Sequence, residues 1–300
     1  MKKNRKSVRS SFLLFLAAAI WGVAFVAQSV GMNYMGPCTF NAARFLIGAA
    51  VLAPLVVREK RAGNAAEAQK KEGRTSWKGL LAGGLCCGLA LCAASLLQQF
   101  GIRYTSVGKA GFLTTLYIII VPLLGIFLGR RAGWRVWCSV AAAVAGMYLL
   151  CMADRLRLGL GDGLMLGCAF LFAIHILAVD HFAERMDGVL LSFLQFLTSG
   201  LICLALALLT ENPSLSALWS GIVPVLYAGV LSCGVGYTLQ VVGQKNVEPT
   251  AASLILSLES VISVLAGWVI LGQRLSLREL AGCALVFAAV VFVQLPEHGA

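Results

Sequence analysis

The sequence predicts an all-α membrane protein with ten transmembrane helices, arranged as two inverted five-helix repeats. This fold class follows from the apolar composition, from ten apolar segments of spanning length, and from similarity between the two halves. Of the 300 residues, 59% are hydrophobic and 12% are charged, whereas a soluble globular domain is about half apolar and about a quarter charged. The apolar residues form long blocks with the charges between them, which is typical of a multi-pass membrane protein.

Ten segments have the length and composition of membrane spans. A helix needs about 20 predominantly apolar residues to cross the hydrocarbon core, and it satisfies its own backbone hydrogen bonds where lipid offers none. A basic start before an apolar stretch also fits a signal peptide, but this apolar stretch is long and nine spans follow, so we interpret residues 1–30 as containing an uncleaved first helix. The predicted spans are residues 11–30, 38–57, 79–101, 108–129, 135–152, 161–180, 189–209, 217–241, 249–271 and 277–295.

The net charge of +11 is distributed unevenly between the loops of the two sides. If the N-terminus is cytoplasmic, the cytoplasmic loops hold 17 basic residues, seven of them in a linker at residues 58–78, and the outer loops hold six. The positive-inside rule therefore predicts a multi-pass protein of the plasma or inner membrane with both termini in the cytoplasm. This placement indicates the lipid bilayer as a partner and argues against nucleic acid.

The chain contains two similar halves, which we predict to be repeats at residues 1–152 and 153–300. An offset of 142 aligns the third to fifth spans with the eighth to tenth, and an offset of 151 aligns the first two spans with the sixth and seventh. We call residues paired by these offsets repeat mates. They include Trp77 with Trp219, Gln98 with Gln240, Gly101 with Gly243, Tyr117 with Glu259, Trp21 with Phe172 and Arg44 with Gln195.

Five spans are an odd number, so the second repeat enters the membrane with the opposite orientation. Inverted repeats are common in secondary transporters, where exchanging the shapes of the two copies exchanges the open side.

Several stretches together resemble the EamA-type transporters of the drug/metabolite transporter superfamily. The resemblance implies ten helices in two inverted repeats, a path lined by spans 1, 3, 4, 6, 8 and 9, and transport of small organic solutes. Ser260 stands where that family usually has proline, which predicts a weaker break in the ninth span. The similar stretches are WGVAFV at 21–26, PCTFNAARFLIGA at 37–49, YTSVGKAGFLTTLY at 104–117, VPLLGIFLGR at 121–130 and the segment 248–276.

Glu259 is the central candidate of the predicted path, because it lies near the middle of the ninth span. A carboxylate there costs about 2.5–3.5 kcal/mol on insertion scales, so it must face protein or water. Either it carries a proton or contacts the solute, or it is a structural pair or helix cap; both interpretations are open. Its repeat mate Tyr117 is expected to line the same chamber.

Five further candidates each have a functional and a structural interpretation. Arg44 either attracts anionic groups or pairs with a carboxylate or carbonyl oxygens. Gln98 and Gln240 are either gate or binding donors or interhelical hydrogen-bonding groups. Trp21 either stacks on a solute or belongs to an apolar wall, and His175 either titrates or is hydrogen-bonded in place. The glycines of the G-x-x-x-G pairs Gly79/Gly83, Gly125/Gly129 and Gly163/Gly167 are interpreted as sites of close helix packing.

The sequence favours a secondary transporter of small organic solutes over an enzyme. It has no H-E-x-x-H or G-x-S-x-G motif, and VGKAG at 107–111 lacks the first glycine of a P-loop. The ten cysteines form no metal-binding spacing, and no cofactor, metal site or catalytic residue is predicted. We predict alternating access, with proton coupling as a hypothesis and with amino acids, metabolites or drugs as solutes. The alternative is a membrane-integral enzyme or scaffold without solute flux.

Overall fold

The computed structural model describes residues 2–61, 77–105, 107–130, 132–151, 159–271 and 276–294, and these contain helices and turns but no strands. Most of the basic linker predicted at 58–78 lies outside the described residues. The helices are α1 (Lys2–Gly31), α2 (Pro37–Arg61), α3 (Trp77–Ile102), α4 (Val107–Thr115), α5 (Tyr117–Phe127), α6 (Trp134–Cys151), α7 (Leu160–Ala183), α8 (Gly188–Thr210), α9 (Leu215–Ser220), α10 (Ile222–Leu226), the π-helical segment π1 (Tyr227–Tyr237), α11 (Thr238–Gln244), α12 (Pro249–Leu256), α13 (Leu258–Leu271) and α14 (Leu277–Gln294).

Among the described residues, eight stretches are long and apolar enough to cross a membrane, which matches eight of the ten predicted spans. The other two predicted spans correspond to α6 and α14, which have 18 residues each. A helix of that length is about 27 Å long, close to the hydrocarbon thickness of about 30 Å, so the count of ten stays a prediction. The eight stretches are Val8–Gly31, Pro37–Arg58, Trp77–Ile102, Ala110–Phe127, Leu160–Ala183, Gly188–Thr210, Ile222–Gln244 and Pro249–Ile270.

Two spans are interrupted near their middle, one in each half of the chain. The α4–α5 interruption falls at Leu116 and the α12–α13 interruption at Ser257. The second occurs without the proline that the family usually has, because serine hydroxyls bind backbone carbonyls there. Ser257 Oγ donates to the carbonyl oxygen of Leu254 at 2.7 Å, and Ser260 Oγ donates to that of Ser257 at 2.7 Å. Such bonds compete with the helical ladder and bend helices.

The helices pack in pairs that relate one half of the chain to the other. α2 packs against α8, and α6 packs against α14. α3 packs against α7, while π1 and α11 pack against α1. Likewise α5 packs against α7, and α13 packs against α1. Every one of these pairs joins an element from before residue 152 to one from after it.

Only some of the predicted packing glycines lie at close helix contacts. A Cβ on Gly83 would lie 2.6 Å from the sulfur of Met186, so this glycine does permit close approach. A Cβ on Gly163 would meet nothing within 4 Å, which shows that close packing does not explain that glycine. Gly129 instead follows α5 with φ of 76°, the left-handed backbone that favours glycine after a helix.

Substituting Gly161 with alanine is expected to destabilise the folded protein, because α7 touches the end of α3 at this point. The added Cβ would lie 3.0 Å from the carbonyl oxygen of Gly101 and 2.9 Å from Cβ of Tyr104. Overpacking of this kind costs about 1–3 kcal/mol. The measurement is the thermal unfolding midpoint in detergent, with Gly163→Ala on the same helix as the control. Equal midpoints for the two variants would contradict the packing described here.

Candidate functional site

A central cavity lies between the two halves of the chain. All seven residues predicted from the sequence line it: Trp21, Arg44, Gln98, Tyr117, His175, Gln240 and Glu259. The lining residues that the sequence argument missed are Phe25, Gln28, Thr114, Phe172, Ile176, Ser232, Tyr237 and Leu256. The structure therefore brings the whole predicted set together around one space.

Glu259 and Tyr117 form a direct hydrogen bond at one wall of the cavity. Tyr117 Oη donates to Glu259 Oε1 at 3.1 Å, and the two residues are 5% and 3% exposed. Glu259 lies in the first turn of α13, directly after the interruption at Ser257. A carboxylate in the first turn of a helix has the favourable orientation toward the helix dipole.

Arg44 presents an unpaired cation to the same cavity. Its side chain is 1% exposed, and its Nε and Nη2 atoms have no hydrogen-bond partner. Within the described parts of the chain, Arg44 forms no ion pair; its guanidinium carbon lies 4.8 Å from the ring centre of Phe45. The structural interpretation expected Arg44 to pair with a carboxylate or with carbonyl oxygens. These two nitrogens form no such pairing. A buried charge without a partner is costly.

His175 is held in place by the repeat mate of Arg44. His175 Nε2 lies 2.9 Å from Gln195 Oε1, and its ring makes edge contacts with Phe172 and Tyr237 at 6.4 and 6.0 Å. Its other ring nitrogen, Nδ1, is buried without a partner. The equivalent position of the second half therefore holds a histidine–glutamine pair where the first half holds a guanidinium.

Aromatic side chains form the apolar wall of the cavity. The rings of Trp21 and Tyr237 lie 4.5 Å apart, and Trp21 Nε1 donates to the carbonyl oxygen of Ser232 at 3.3 Å. Phe25 and Phe172 line the same space. Trp21 thus has a fixed orientation and lies in the cavity wall, while stacking on a solute stays a prediction.

Gln98 and Gln240 are both buried at the cavity, with exposures of 5% and 1%. Gln240 Oε1 has no hydrogen-bond partner, so its amide can serve a solute or an ordered water. For Gln240 Oε1, the structural interpretation of simple interhelical bonding is therefore not observed.

The repeat offsets could have found one of the missed residues. Phe172 is the repeat mate of the candidate Trp21, and both line the cavity. Phe25 and Ile176 are also repeat mates, as are Thr114 and Leu256, but neither pair contains a candidate. Ser232 and Tyr237 have no such signal, because their places depend on the local backbone of π1.

The described residues form a helical bundle around a buried cavity, with eight stretches able to cross a membrane, which is the architecture of a multi-pass membrane protein. The model of the EamA-like transporter family matches residues 8–152 and again residues 159–295. The chain therefore belongs to the EamA-like transporter family, within the drug/metabolite transporter superfamily.

Curated relatives agree with this assignment. A protein of Archaeoglobus fulgidus named as an uncharacterized transporter is 25% identical over 94% of this chain and 84% of its own length. The WAT1-related protein At3g02690, chloroplastic, of Arabidopsis thaliana is 24% identical over 92% of this chain and 67% of its own length. A crystal structure with 19% sequence identity shares the fold, with a TM-score of 0.74 over 95% of this chain and 96% of that one.

Proposed function

We propose that the protein is a secondary transporter that moves zwitterionic amino-acid-like solutes with a large apolar or aromatic side chain. The observation that carries this proposal is the central cavity, which combines one unpaired guanidinium, one carboxylate and an aromatic wall. Arg44 pairs with the solute carboxylate, because arginine matches the geometry of a carboxylate with two parallel donors. The aromatic side chains bury the solute side chain.

Glu259 binds the ammonium group of the solute and exchanges it for a proton. One carboxylate cannot hold a proton and pair with an ammonium group at the same time, so the two cations compete for it. Tyr117 keeps the ionised carboxylate oriented through its hydrogen bond of 3.1 Å. Competition at one site couples the movement of the solute in one direction to the movement of a proton in the other.

Alternating access follows from two inverted repeats, residues 1–152 and 153–300, of five helices each. Support comes from the packing pairs. When each element is replaced by its counterpart in the other half, the contact of α3 with α7 becomes the contact of π1 and α11 with α1, and both contacts are present. Further support comes from the cavity lining, which includes five pairs of repeat mates. They are Trp21 with Phe172, Phe25 with Ile176, Gln98 with Gln240, Thr114 with Leu256, and Tyr117 with Glu259.

The proposed location is the plasma or inner membrane, with both termini in the cytoplasm. The excess of basic residues in the loops on that side supports this orientation. The contacts between Ser10 and Asn246, at 3.2 Å, and between Arg130 and Asp180, at 2.6 Å, then lie at the cytoplasmic end. They join the two halves there, as the contacts of Thr39 with Glu211, at 2.6 Å, and of Thr105 with Asp162, at 3.0 Å, do at the outer end.

Flux into sealed proteoliposomes tests the proposal. Purified protein is reconstituted, a pH gradient is imposed, and uptake of labelled phenylalanine is compared with uptake of alanine, phenylalaninamide and uridine. We expect uptake of phenylalanine that depends on the gradient and is several times that of the other compounds. Uptake of none of them would contradict the proposal, and conversion of a compound by protein in detergent would favour the membrane enzyme instead.

A further inference from the structure

The eighth predicted span differs in backbone from its counterpart in the first half. α3 is α-helical over all of Trp77–Ile102. The counterpart contains π1, which is π-helical over the 11 residues Tyr227–Tyr237. A π-helix bonds each carbonyl to the N–H five residues on. It is rare and occurs mostly as single-turn bulges within α-helices, which are frequent at functional sites. A π-helical stretch of this length accommodates more residues than an α-helix would between the same two fixed ends.

At the start of π1, the contacts match those made by α3 in the first half when the residue numbers differ by 141. A Cβ on Gly88 would lie 3.0 Å from the carbonyl oxygen of Gln195, and a Cβ on Gly229 would lie 3.2 Å from that of Arg44. Gln195 and Arg44 are repeat mates. Each glycine also touches the side chain three residues further along the same neighbouring helix. Gly88 and Gly229 are thus equivalent in three dimensions, although the sequence offset in this region is 142.

Contacts after π1 are equivalent at an offset of 142. A Cβ on Gly101 would lie 3.1 Å from the carbonyl oxygen of Gly161, and a Cβ on Gly243 would lie 3.1 Å from that of Ser10. Gly161 and Ser10 are repeat mates, at the offset of 151. The second half therefore holds one residue more than the first between these two anchor points, and the extra residue falls in the stretch that contains π1.

The extra residue is accommodated next to the cavity. Ser232 and Tyr237 of π1 line the cavity, and Gln240 lines it one turn later. The carbonyl oxygen of Ser232 accepts a hydrogen bond from Trp21 Nε1 at 3.3 Å. The carbonyl oxygen of Gly234 accepts one from Thr238 Oγ1 at 2.7 Å. These side chains thus provide donors for carbonyls where the helical ladder changes its register.

We propose that π1 is a register switch that turns Tyr237 and Gln240 into or out of the cavity during transport. The extra residue can move from π1 toward one end of the span. The backbone between its old and new positions then becomes α-helical and rotates by about 100°, which is the angle that one residue occupies in a turn of 3.6 residues. The glycines of π1 at positions 229, 234 and 236 permit the change of backbone dihedrals. This inference rests on the proposed alternating access.

Deleting one residue from π1 tests the switch, because the deletion makes the second half match the first. Leu231 suits the deletion, since it is 42% exposed and outside the cavity lining. The matched control deletes its repeat mate Leu89, which is 55% exposed on α3, where no residue is spare. We expect the Leu231 deletion to fold and to bind phenylalanine within about threefold of the wild-type Kd. We expect it to transport phenylalanine at less than about a tenth of the wild-type rate, because the change of register is lost.

Hydrogen exchange gives a readout that does not depend on the solute. In the wild type, we expect the backbone amide hydrogens of residues 227–237 to exchange faster than those of residues 86–95. In the Leu231 deletion, we expect the exchange of the first group to slow to the rate of the second. The Leu89 deletion is expected to melt well below the wild type. Wild-type flux by the Leu231 deletion, or its failure to fold, would overturn the switch. If phenylalanine is not transported at all but the exchange difference is present, the proposed solute is wrong and the register switch stands.

Discussion

Replacing Glu259 with glutamine is expected to abolish proton-driven transport of phenylalanine while leaving the protein folded. Glutamine keeps the size of the side chain and can still accept the hydrogen bond from Tyr117, which lies 3.1 Å from the carboxylate. It can neither take up a proton nor pair with an ammonium group as an anion. Uptake into proteoliposomes should fall to the leak of empty liposomes at every pH from 5 to 8. The thermal unfolding midpoint is expected to stay within a few degrees of the wild type or to rise.

Tyr117→Phe is the matched control, since it removes only the hydroxyl that orients Glu259. Loss of one hydrogen bond to a charged group costs about 1.5–3 kcal/mol, so we expect affinity to fall by roughly 10- to 100-fold while transport stays dependent on the gradient. Normal gradient-driven transport by Glu259→Gln would remove the coupling role. A strong loss of thermal stability in that variant would instead support the interpretation of Glu259 as a structural cap.

Replacing Arg44 with glutamine is expected to weaken phenylalanine binding by roughly 30- to 5,000-fold. Truncating one partner of a buried charge pair costs about 2–5 kcal/mol, and the pair here forms only when the solute is bound. In the empty protein the Nε and Nη2 atoms of Arg44 have no partner. Removing an unpaired buried charge is therefore expected to leave the empty protein as stable as the wild type, or more stable. Binding and unfolding midpoints of the same purified samples measure both effects.

Phenylalaninamide separates a binding role of Arg44 from a structural one. The amide lacks the carboxylate, so the wild type should bind it much more weakly than phenylalanine. The Arg44→Gln variant should bind the two compounds about equally. Arg44→Lys keeps the charge but loses the two parallel donors, and it should fall between them. Unchanged selectivity in Arg44→Gln, or a marked loss of stability, would contradict the proposed contact.

Much of the candidate site was predictable, because the repeat relates each candidate to a second position. Tyr117 was predicted only as the repeat mate of Glu259, and the two side chains meet in a hydrogen bond. The same offsets lead from Trp21 to Phe172, which also lines the cavity. Polar and aromatic residues inside apolar spans are costly unless they face protein or water, so such residues tend to converge on one cavity.

Other features depend on backbone detail that composition and spacing do not carry. The sequence offset of 142 holds without a gap across the eighth span, so nothing in it indicates π1 or the local offset of 141. Gly163 lies in a G-x-x-x-G pair, yet it meets no neighbour within 4 Å, because the motif records spacing along one helix and not the presence of a partner. Ser260 in place of proline predicted a weaker break, and the hydroxyls of Ser257 and Ser260 supply one by another route.

If the protein works by the proposed alternating access, the buried guanidinium of Arg44 is expected to make it sensitive to membrane voltage. A unit charge that crosses the full potential changes energy by about 2.3 kcal/mol per 100 mV. In such a cycle the membrane potential falls mainly across whichever half of the solute path is closed. When the open side changes, the electrical potential at a charge of fixed depth therefore changes, although the charge itself does not move. A carrier with Glu259 protonated and no solute bound holds a net positive charge in its centre. An interior-negative potential therefore biases which way the empty carrier faces, and an applied voltage alone should change the rate of its return step.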